Sequence, residues 1–310
     1  MIDAEREVKK ICEDIKNLKI QGARNVAIAS IEAFDLKMKS PKTKDKETFF
    51  SEMLELGNRF AELRPTEPML INLLRRFTKK ISEGKNIGEM KEIFKKTKSE
   101  FEISLKENIE KISGYGSNLI KDGSTVLTHC HSSTAESAIV SAFQTKNIKV
   151  ICTETRPRFQ GRITAQKLSK AGIGVTMIVD SAIGSVMHDV DIVIVGADVI
   201  TTSGDLINKI GTSTVAEIAE ENRIPFYSAA ELWKYDPMTK FGVERHIEMR
   251  DRSELFSDLK SKDLKKFDNI NVLNPSFDLT SNKYIKGYIT EEGIIPPQNI
   301  ADVAERVLKI

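Results

Sequence analysis

Residues 128–136, with the sequence THCHSSTAE, bring together side chains that could do acid–base or nucleophilic chemistry. Cys130 stands between His129 and His131, directly after an apolar run and directly before a pattern typical of a helix start. Three kinds of site are open on these residues alone. They are a metal site, a buried structural thiol, and a reactive cysteine beside a bound anion.

The spacing separates these alternatives in part. Adjacent strand residues point to opposite faces, so His129, Cys130 and His131 cannot easily converge on one ion, and we predict no metal site. Residues 133–136 fit a capping box, and free backbone amides at such a helix start would bind phosphate and lower the pKa of a nearby thiol. The alternative, that Cys130 is simply a small hydrophobic residue at a strand end, stays open.

The elements that must position this segment change character along the chain. Apolar residues recur at helical spacing up to about residue 112, which predicts an α-helical N-terminal domain over residues 1–117 with a hinge at residues 114–117. Short apolar runs then alternate with helical stretches, a pattern typical of a parallel sheet covered on both faces. We therefore predict an α/β protein with a Rossmann-like domain over residues 118–310, whose strands are residues 125–129, 149–153, 174–179, 191–195 and 225–228.

Ligands of such sheets bind at the carboxyl ends of the strands, where the strand order reverses. Cys130 follows the first predicted strand, Asp198 the fourth and Lys234 the fifth. These loops supply a thiol, a carboxylate and an ammonium group to one edge, which favours an enzyme acting on a phosphorylated small molecule. Asp198 has a plainer alternative as a turn or helix cap, and Asn208 and Lys209, which add an amide and an ammonium group before the next predicted helix, could be an ordinary solvated loop.

Composition limits the class of protein. The chain has 310 residues, 40% of them hydrophobic, which is enough for a large core. Its net charge is only +2, so we predict no nucleic acid partner, and no apolar run is long enough to predict a membrane span. Its three cysteines show no CxxC spacing, which predicts a reduced, cytoplasmic protein. The sequence has no GxGxxG or Walker-type loop, so we predict no cofactor.

Three longer segments carry a resemblance to a known family: RPTEPML (residues 64–70), TETRPRFQGRITAQKL (153–168) and IVGADVITTSGDLINKIGT (194–212). Together they resemble the superfamily that joins isomerases of 1-phosphorylated sugars with the alpha, beta and delta subunits of translation initiation factor 2B. The likeness covers nearly the whole chain. The loop THCHSST is most similar to that of the archaeal ribose 1,5-bisphosphate isomerases, whereas a glycine-rich segment follows the cysteine loop of methylthioribose-1-phosphate isomerases.

The resemblance implies an aldose–ketose isomerase that converts ribose 1,5-bisphosphate to ribulose 1,5-bisphosphate in AMP breakdown. It also implies a homo-oligomer built from dimers, as large as a hexamer. A non-catalytic factor 2B-like subunit that binds factor 2 or a nucleotide is the alternative, and a methylthioribose-1-phosphate isomerase is the third. Gln21 and Thr134 depart from the family, which has arginine at the first position and often lysine at the second. The implied substrate contacts are Gln21, Gly22, Ala23, Arg24, Arg64, Ser132, Ser133, Thr134, Asn208, Lys209 and Lys234.

The implied chemistry sets requirements on two residues. A sugar phosphorylated on its anomeric oxygen cannot open to a free aldehyde, so its ring oxygen must be protonated while a proton leaves carbon 2. The resemblance makes Asp198 the proton donor and Cys130, as thiolate, the proton acceptor. We therefore expect a raised pKa for the carboxyl group and a lowered pKa for the thiol.

Overall fold

The computed structural model describes residues 4–17, 19–20, 22–242, 247–257, 259 and 265–309. The chain divides into two compact units between Glu107 and Asn108. The predicted fold class, a helical N-terminal part followed by a largely parallel sheet, is confirmed. The domain limits at residue 117 stay a prediction. Within the ranges described, no helix combines the length and apolar character needed to cross a membrane.

The first unit is built from amphipathic helices, and the last of them continues into the second unit. They are α1 (Ala4–Lys16), α2 (Ala23–Lys39), α3 (Lys46–Leu63), α4 (Pro68–Ser82) and α5 (Ile87–Leu119). Local signals set their starts, since Asp45 accepts a hydrogen bond from the Thr48 amide before α3 and Pro68 fills the first turn of α4. The apolar faces of α2, α3 and α4 meet in a core that includes the fully buried rings of Phe34, Phe49, Phe60 and Phe77.

The predicted hinge at residues 114–117 is wrong, because these residues lie inside the continuous helix α5. Gly116 serves close packing instead. A Cβ atom at Gly116 would lie 2.6 Å from the Cβ atom of Ala138, a separation that real Cβ atoms do not show. A glycine in a helical pattern therefore marked a helix–helix contact in this chain and not a break.

The second unit is organised around a sheet whose inner strands are buried on both faces. Its strands are β1 (Thr125–Thr128), β2 (Lys149–Thr153), β3 (Gly174–Ile178), β4 (Ile192–Val195), β7 (Phe226–Ala229), β10 (Gly287–Thr290) and β11 (Gly293–Ile295). Their order is β11-β10-β7-β4-β1-β2-β3, and every pairing is parallel except β10 with β11. The predicted strands agree with β1, β2, β3, β4 and β7 to within one residue at each end.

The strand order reverses between β1 and β4. The chain runs outward from β1 through β2 to β3, then returns to place β4 on the other side of β1. The connecting helices are α6 (Ser133–Phe143), α7 (Gln160–Lys170), α8 (Ile183–Val186) and α9 (Thr212–Glu221), and α10 (Ile300–Leu308) ends the unit. In sheets of this kind the crevice for a ligand opens beyond the carboxyl ends of the two strands at the reversal.

A second sheet, which the sequence analysis did not predict, follows β4. It contains β5 (Val199–Thr201), β6 (Leu206–Lys209), β8 (Tyr235–Asp236) and β9 (Phe277–Thr280) in the order β8-β5-β6-β9. Residues 203–205 lie in the turn between β5 and β6, which pair antiparallel. The resulting hairpin carries Asn208 and Lys209 in strand β6.

Candidate active site

The loops after β1 and β4 touch at the reversal of the sheet. A Cβ atom at Gly196 would lie 2.5 Å from the Cβ atom of Ser132, so only a glycine lets the two loops approach this closely. The hydroxyl of Ser228, in β7, donates to the carbonyl of Gly196 at 2.9 Å and fixes this loop from the other side. The approach brings together the loop that contains Cys130 and the loop that contains Asp198, as the sequence predicted.

Cys130 adopts a left-handed backbone conformation, with φ of 68°. Its amide donates to the hydroxyl oxygen of Thr155 at 2.9 Å, and its carbonyl accepts from the hydroxyl of Thr164 at 2.9 Å. Left-handed conformations are costly for residues with a side chain and persist where surrounding contacts impose them. The two threonines supply these contacts and give the Cys130 backbone a defined position, and the residue as a whole is intermediate between buried and exposed.

The surroundings of Cys130 keep its thiol protonated. Burial raises the pKa of Cys130 to about 11, against an ordinary value of 9.0, and the Lys209 ammonium and the His131 amide counteract this rise. The carboxylates of Asp198 and Asp180 raise the pKa further. The expected lowering of the pKa is therefore wrong, because burial outweighs the opposing effects of the Lys209 ammonium and the His131 amide. The charges of Lys209 and Asp198 thus both act on the thiol.

Backbone contacts hold Asp198 and Lys234 at the same edge. The Asp198 amide donates to the carbonyl of Ile207, in β6, at 3.0 Å, and the Asp198 side chain is partly exposed. The ammonium of Lys234 donates to the carbonyl of Ala197. Lys234 therefore contacts the loop that carries Asp198, and part of its hydrogen-bonding capacity is used there.

Asn208 and Lys209 occupy the end of β6. Asn208 is buried, and its amide group donates to the hydroxyl of Thr212 at 3.0 Å. The Lys209 ammonium lies 4.7 Å from the centre of the Phe277 ring. Beside them, Asp278 accepts hydrogen bonds from the amides of Gly211 and Ser213 at the start of α9, and burial raises the pKa of this carboxyl group. Of this group, Lys209 presents the positive charge nearest the thiol.

The capping box predicted before α6 is displaced by one residue. Ser132, not Ser133, is the N-cap, and its hydroxyl oxygen accepts from the Ala135 amide at 3.3 Å. The carboxylate of Glu136 contacts Lys167 at 3.2 Å instead of reaching back to the cap. Thr134 is buried and donates its hydroxyl hydrogen to the carbonyl of Ala229 at 2.6 Å, which leaves this side chain little capacity for a ligand.

The other predicted contacts belong to the first unit. Gly22 is exposed with φ of 82°, Ala23 is buried at the start of α2, and Arg24 donates to the Leu105 carbonyl at 2.9 Å. Arg64 pairs with the buried carboxylate of Glu67. Gln21 lies outside the described residues. The predicted roles of these residues in substrate binding stay predictions.

Residues 19–297 match the model of the initiation factor 2 subunit family. The chain belongs to this family. A Methanocaldococcus jannaschii protein named ribose 1,5-bisphosphate isomerase is 43% identical over 302 residues, or 96% of this chain and 94% of that protein. A Thermococcus kodakarensis protein of the same name is 39% identical over 303 residues, with coverage of 96% and 94%. The crystal structure of the Pyrococcus horikoshii OT3 translation initiation factor eIF-2B matches with a TM-score of 0.78 at 32% identity, covering 94% of this chain and 97% of that chain.

The family resemblance predicted from the three segments is thus confirmed. In this initiation factor 2 subunit family member, polar residues that were not predicted from the sequence surround the thiol. Thr153 and Thr155 are fully buried and lie within hydrogen-bonding distance of each other, at 3.2 Å. The available signal was the segment TET, which puts two hydroxyl groups directly at the carboxyl end of a predicted apolar strand.

A pair of buried carboxyl groups was also missed. Glu231 follows β7 and Glu291 follows β10, so both lie at the carboxyl edge of the sheet. The Leu232 amide donates to both carboxyl oxygens of Glu291, at 3.2 and 3.1 Å. Burial, with the charge of Glu231 as a further contribution, raises the pKa of Glu291 to about 7 from an ordinary value of 4.5.

The raised pKa predicts how stability depends on pH. The folded protein binds the Glu291 proton more tightly than the unfolded chain does. The contribution of this proton to the free energy of unfolding is therefore fully present below pH 4.5 and is lost as pH rises through 7. Glu291→Gln is therefore expected to stabilise the protein at pH 8, by up to about 3 kcal/mol, and to have little effect at pH 5. Urea denaturation at both pH values measures this. Exposed Glu221→Gln is the control, and an equal effect of Glu291→Gln at pH 5 and pH 8 would contradict the assignment.

The pKa of the thiol predicts how Cys130 reacts with alkylating agents. Its reaction with iodoacetamide should accelerate about tenfold per pH unit between pH 7 and 10, without a plateau, because the thiolate fraction grows in that proportion below a pKa of about 11. Lys209→Met should make alkylation of Cys130 slower than in the parent protein, since it removes the positive charge that favours the thiolate. The rate is followed by mass spectrometry of the Cys130 peptide. A plateau at neutral pH would show a lowered pKa instead.

Proposed function

We propose that this protein is an aldose–ketose isomerase that converts ribose 1,5-bisphosphate to ribulose 1,5-bisphosphate. The observation that carries the proposal is the meeting of the Cys130 and Asp198 loops at the reversal of the sheet, with Lys209 beside the thiol. The names of two relatives, 43% and 39% identical over nearly the whole chain, support the choice of substrate. The enzyme is cytoplasmic and works as a homo-oligomer of two or more chains.

The proposed reaction moves two protons. Asp198 donates a proton to the ring oxygen as the bond from that oxygen to carbon 1 breaks, and the Cys130 thiolate takes the proton from carbon 2. This gives an open-chain enol with a double bond between carbons 1 and 2. The Cys130 thiol then returns its proton to carbon 1, while the hydroxyl on carbon 2 gives its proton to Asp198 and becomes the ketone. Both side chains end in the state in which they began.

A proton must move within the site before the reaction begins. The Cys130 thiol is protonated at neutral pH, so its proton passes to the Asp198 carboxylate as the substrate is seated, which produces the thiolate and the proton donor together; the Lys209 ammonium favours the thiolate. Lys209 and Lys234 are also placed to bind phosphate oxygens at the sheet edge, with Ser132, Ser133 and Asn208 as hydrogen-bonding partners. A preorganised charged edge of this kind favours a substrate with two phosphate groups.

A product assay tests the function. Purified protein is given ribose 1,5-bisphosphate, and formation of ribulose 1,5-bisphosphate is followed by ³¹P and ¹H NMR, with methylthioribose 1-phosphate as the control substrate. We expect turnover of the bisphosphate and much slower or no turnover of the control. Conversion of the control alone would identify a methylthioribose-1-phosphate isomerase, and conversion of neither would refute the proposal.

A second candidate function is that of a non-catalytic factor 2B-like subunit. It is favoured by the similarity to the Pyrococcus horikoshii protein named translation initiation factor eIF-2B. The test is binding of purified translation factor 2 to the immobilised chain, run beside the isomerase assay. Binding without turnover would support this candidate, whereas turnover without binding supports the isomerase.

A further inference from the structure

The buried side chain of His129 joins two loops of the candidate site. Its Nε2 atom lies 2.8 Å from the carbonyl oxygen of Ile210, and its Nδ1 atom lies 2.7 Å from the hydroxyl oxygen of Thr153. Ile210 directly follows Lys209, and a Cβ atom at Gly211 would lie 3.2 Å from the His129 ring. The imidazole therefore lies against the backbone of the loop that follows Lys209, while its own backbone leads directly into Cys130.

The hydrogen bonds around His129 have a determined direction. A carbonyl oxygen only accepts, so Nε2 carries the proton and donates to Ile210. Burial lowers the pKa of His129, so the ring is neutral and Nδ1 accepts from the Thr153 hydroxyl. Because Thr153 donates its only hydroxyl hydrogen to His129, its oxygen accepts a hydrogen bond from the Thr155 hydroxyl at 3.2 Å. One chain of bonds thus runs from Thr155 through Thr153 and His129 to Ile210.

Thr155, at one end of this series of hydrogen bonds, contacts the cysteine. The hydroxyl oxygen of Thr155 accepts the Cys130 amide at 2.9 Å, which helps to keep Cys130 left-handed. Thr155 is itself left-handed, with φ of 63°, an uncommon conformation for a β-branched residue. The amides of Thr155 and Arg156 both donate to the carboxylate of Asp180, at 2.8 and 2.7 Å, and secure this turn. Strain maintained by so many contacts is typical of functional sites.

We propose that His129 is a positioning residue, which holds Cys130 and Lys209 at a fixed separation through Thr153 and Thr155 on one side and Ile210 on the other. The inference rests on the proposed isomerase function, for which the thiol and the ammonium must stay together. His129 does not touch the substrate. Its effect is on geometry, and a displacement of about 1 Å in such a site can cost roughly a hundredfold in rate.

Substitutions that remove or keep the Thr155 hydroxyl test the role of its hydrogen bond with the Cys130 amide. Thr155→Val keeps the shape of the side chain but cannot accept the Cys130 amide, and kcat should fall about 10- to 100-fold while KM stays within about threefold. Thr155→Ser restores the acceptor and should restore kcat to within about threefold of the parent. The matched control is Thr78→Val, a threonine of α4 whose hydroxyl donates to the Leu74 carbonyl, and it should leave both constants unchanged.

The two ring nitrogens of His129 are tested by residues that replace one of them each. His129→Asn offers an acceptor for Thr153 but cannot reach Ile210, and His129→Gln can donate to Ile210 but offers nothing at the Nδ1 position. Both variants should lose kcat about tenfold or more with little change in KM. If either variant or Thr155→Val fails to fold, the remaining ones decide the question.

Alkylation of Cys130 gives a readout that does not depend on turnover, so a failed isomerase assay would leave this inference testable. At pH 9, His129→Asn and Thr155→Val should each slow the reaction of Cys130 with iodoacetamide about fivefold, since Lys209 is no longer held beside the thiol. Thr155→Ser and Thr78→Val should react like the parent. An unchanged rate would overturn the proposal, and a faster rate would overturn it too, because it would mean that the substitution had merely loosened the loop and exposed the thiol.

Discussion

Cys130→Ser is expected to lower kcat for ribose 1,5-bisphosphate by about a hundred- to ten-thousand-fold, with KM nearly unchanged. A serine hydroxyl is a far weaker acid than a thiol, so even with Lys209 nearby it cannot supply the anion that takes the proton from carbon 2. The Cys130 contacts to Thr155 and Thr164 use backbone atoms and survive the change. Initial rates of ribulose 1,5-bisphosphate formation measure the effect.

Asp198→Asn should reduce kcat to a similar extent, because the amide cannot protonate the ring oxygen. The double variant should be scarcely slower than either single variant, since both groups act on one transition state. Cys12→Ala in α1 and Asp189→Asn, an exposed carboxylate, are the matched controls and should leave the rate unchanged. Either catalytic-site variant with the parent's kcat would refute the assigned roles.

Gly161→Ala is expected to be the most damaging single change to stability. Gly161 lies in the first turn of α7, and a Cβ atom there would be 1.8 Å from the carbonyl oxygen of Thr153 and 2.9 Å from the hydroxyl oxygen of Thr155. The backbone of α7 or of β2 must therefore move, which should lower the free energy of unfolding by about 3 kcal/mol or more. Because the displaced threonines hold Cys130, kcat should fall as well.

Urea denaturation followed by far-UV circular dichroism measures the loss of stability. Gly114→Ala is the matched control, since it is also a helical glycine but has no neighbouring atom within 4 Å of the added Cβ. It should leave stability unchanged or raise it by up to about 1 kcal/mol, because alanine favours the helix. Similar stabilities of the two variants would mean that α7 can shift away from β2 without cost.

The sheet of the second unit could be predicted because its buried strands are apolar throughout and are separated by helical stretches. Residues after β1 and β4 could be placed together for the same reason, since parallel strands end at a common edge. The prediction that Cys130 and Asp198 lie at the same edge of the sheet needed only this rule and the order of the elements. The identity of the substrate came from resemblance and not from spacing.

The second sheet and the state of the thiol could not be predicted in this way. Strands β5 and β8 have only three and two residues, too few to show a periodic pattern. The pKa of Cys130 depends on how deeply the folded loops bury it, which no local pattern contains. His129 looked like one member of a cluster with His131, yet its partners, Thr153 and Ile210, are 24 and 81 residues away.

The carboxylate of Asp278 at the start of α9 has a consequence for how a doubly charged substrate can enter. Its Oδ2 atom takes the amides of Gly211 and Ser213 and also the hydroxyl of Ser213. An anion near the start of α9 is therefore repelled by the Asp278 carboxylate, although the start of a helix normally attracts anions. The start of α6 is capped only by the neutral Ser132 and keeps this attraction. The two helix starts at this edge of the sheet therefore differ in charge, and a phosphate group is attracted to the start of α6 more than to the start of α9.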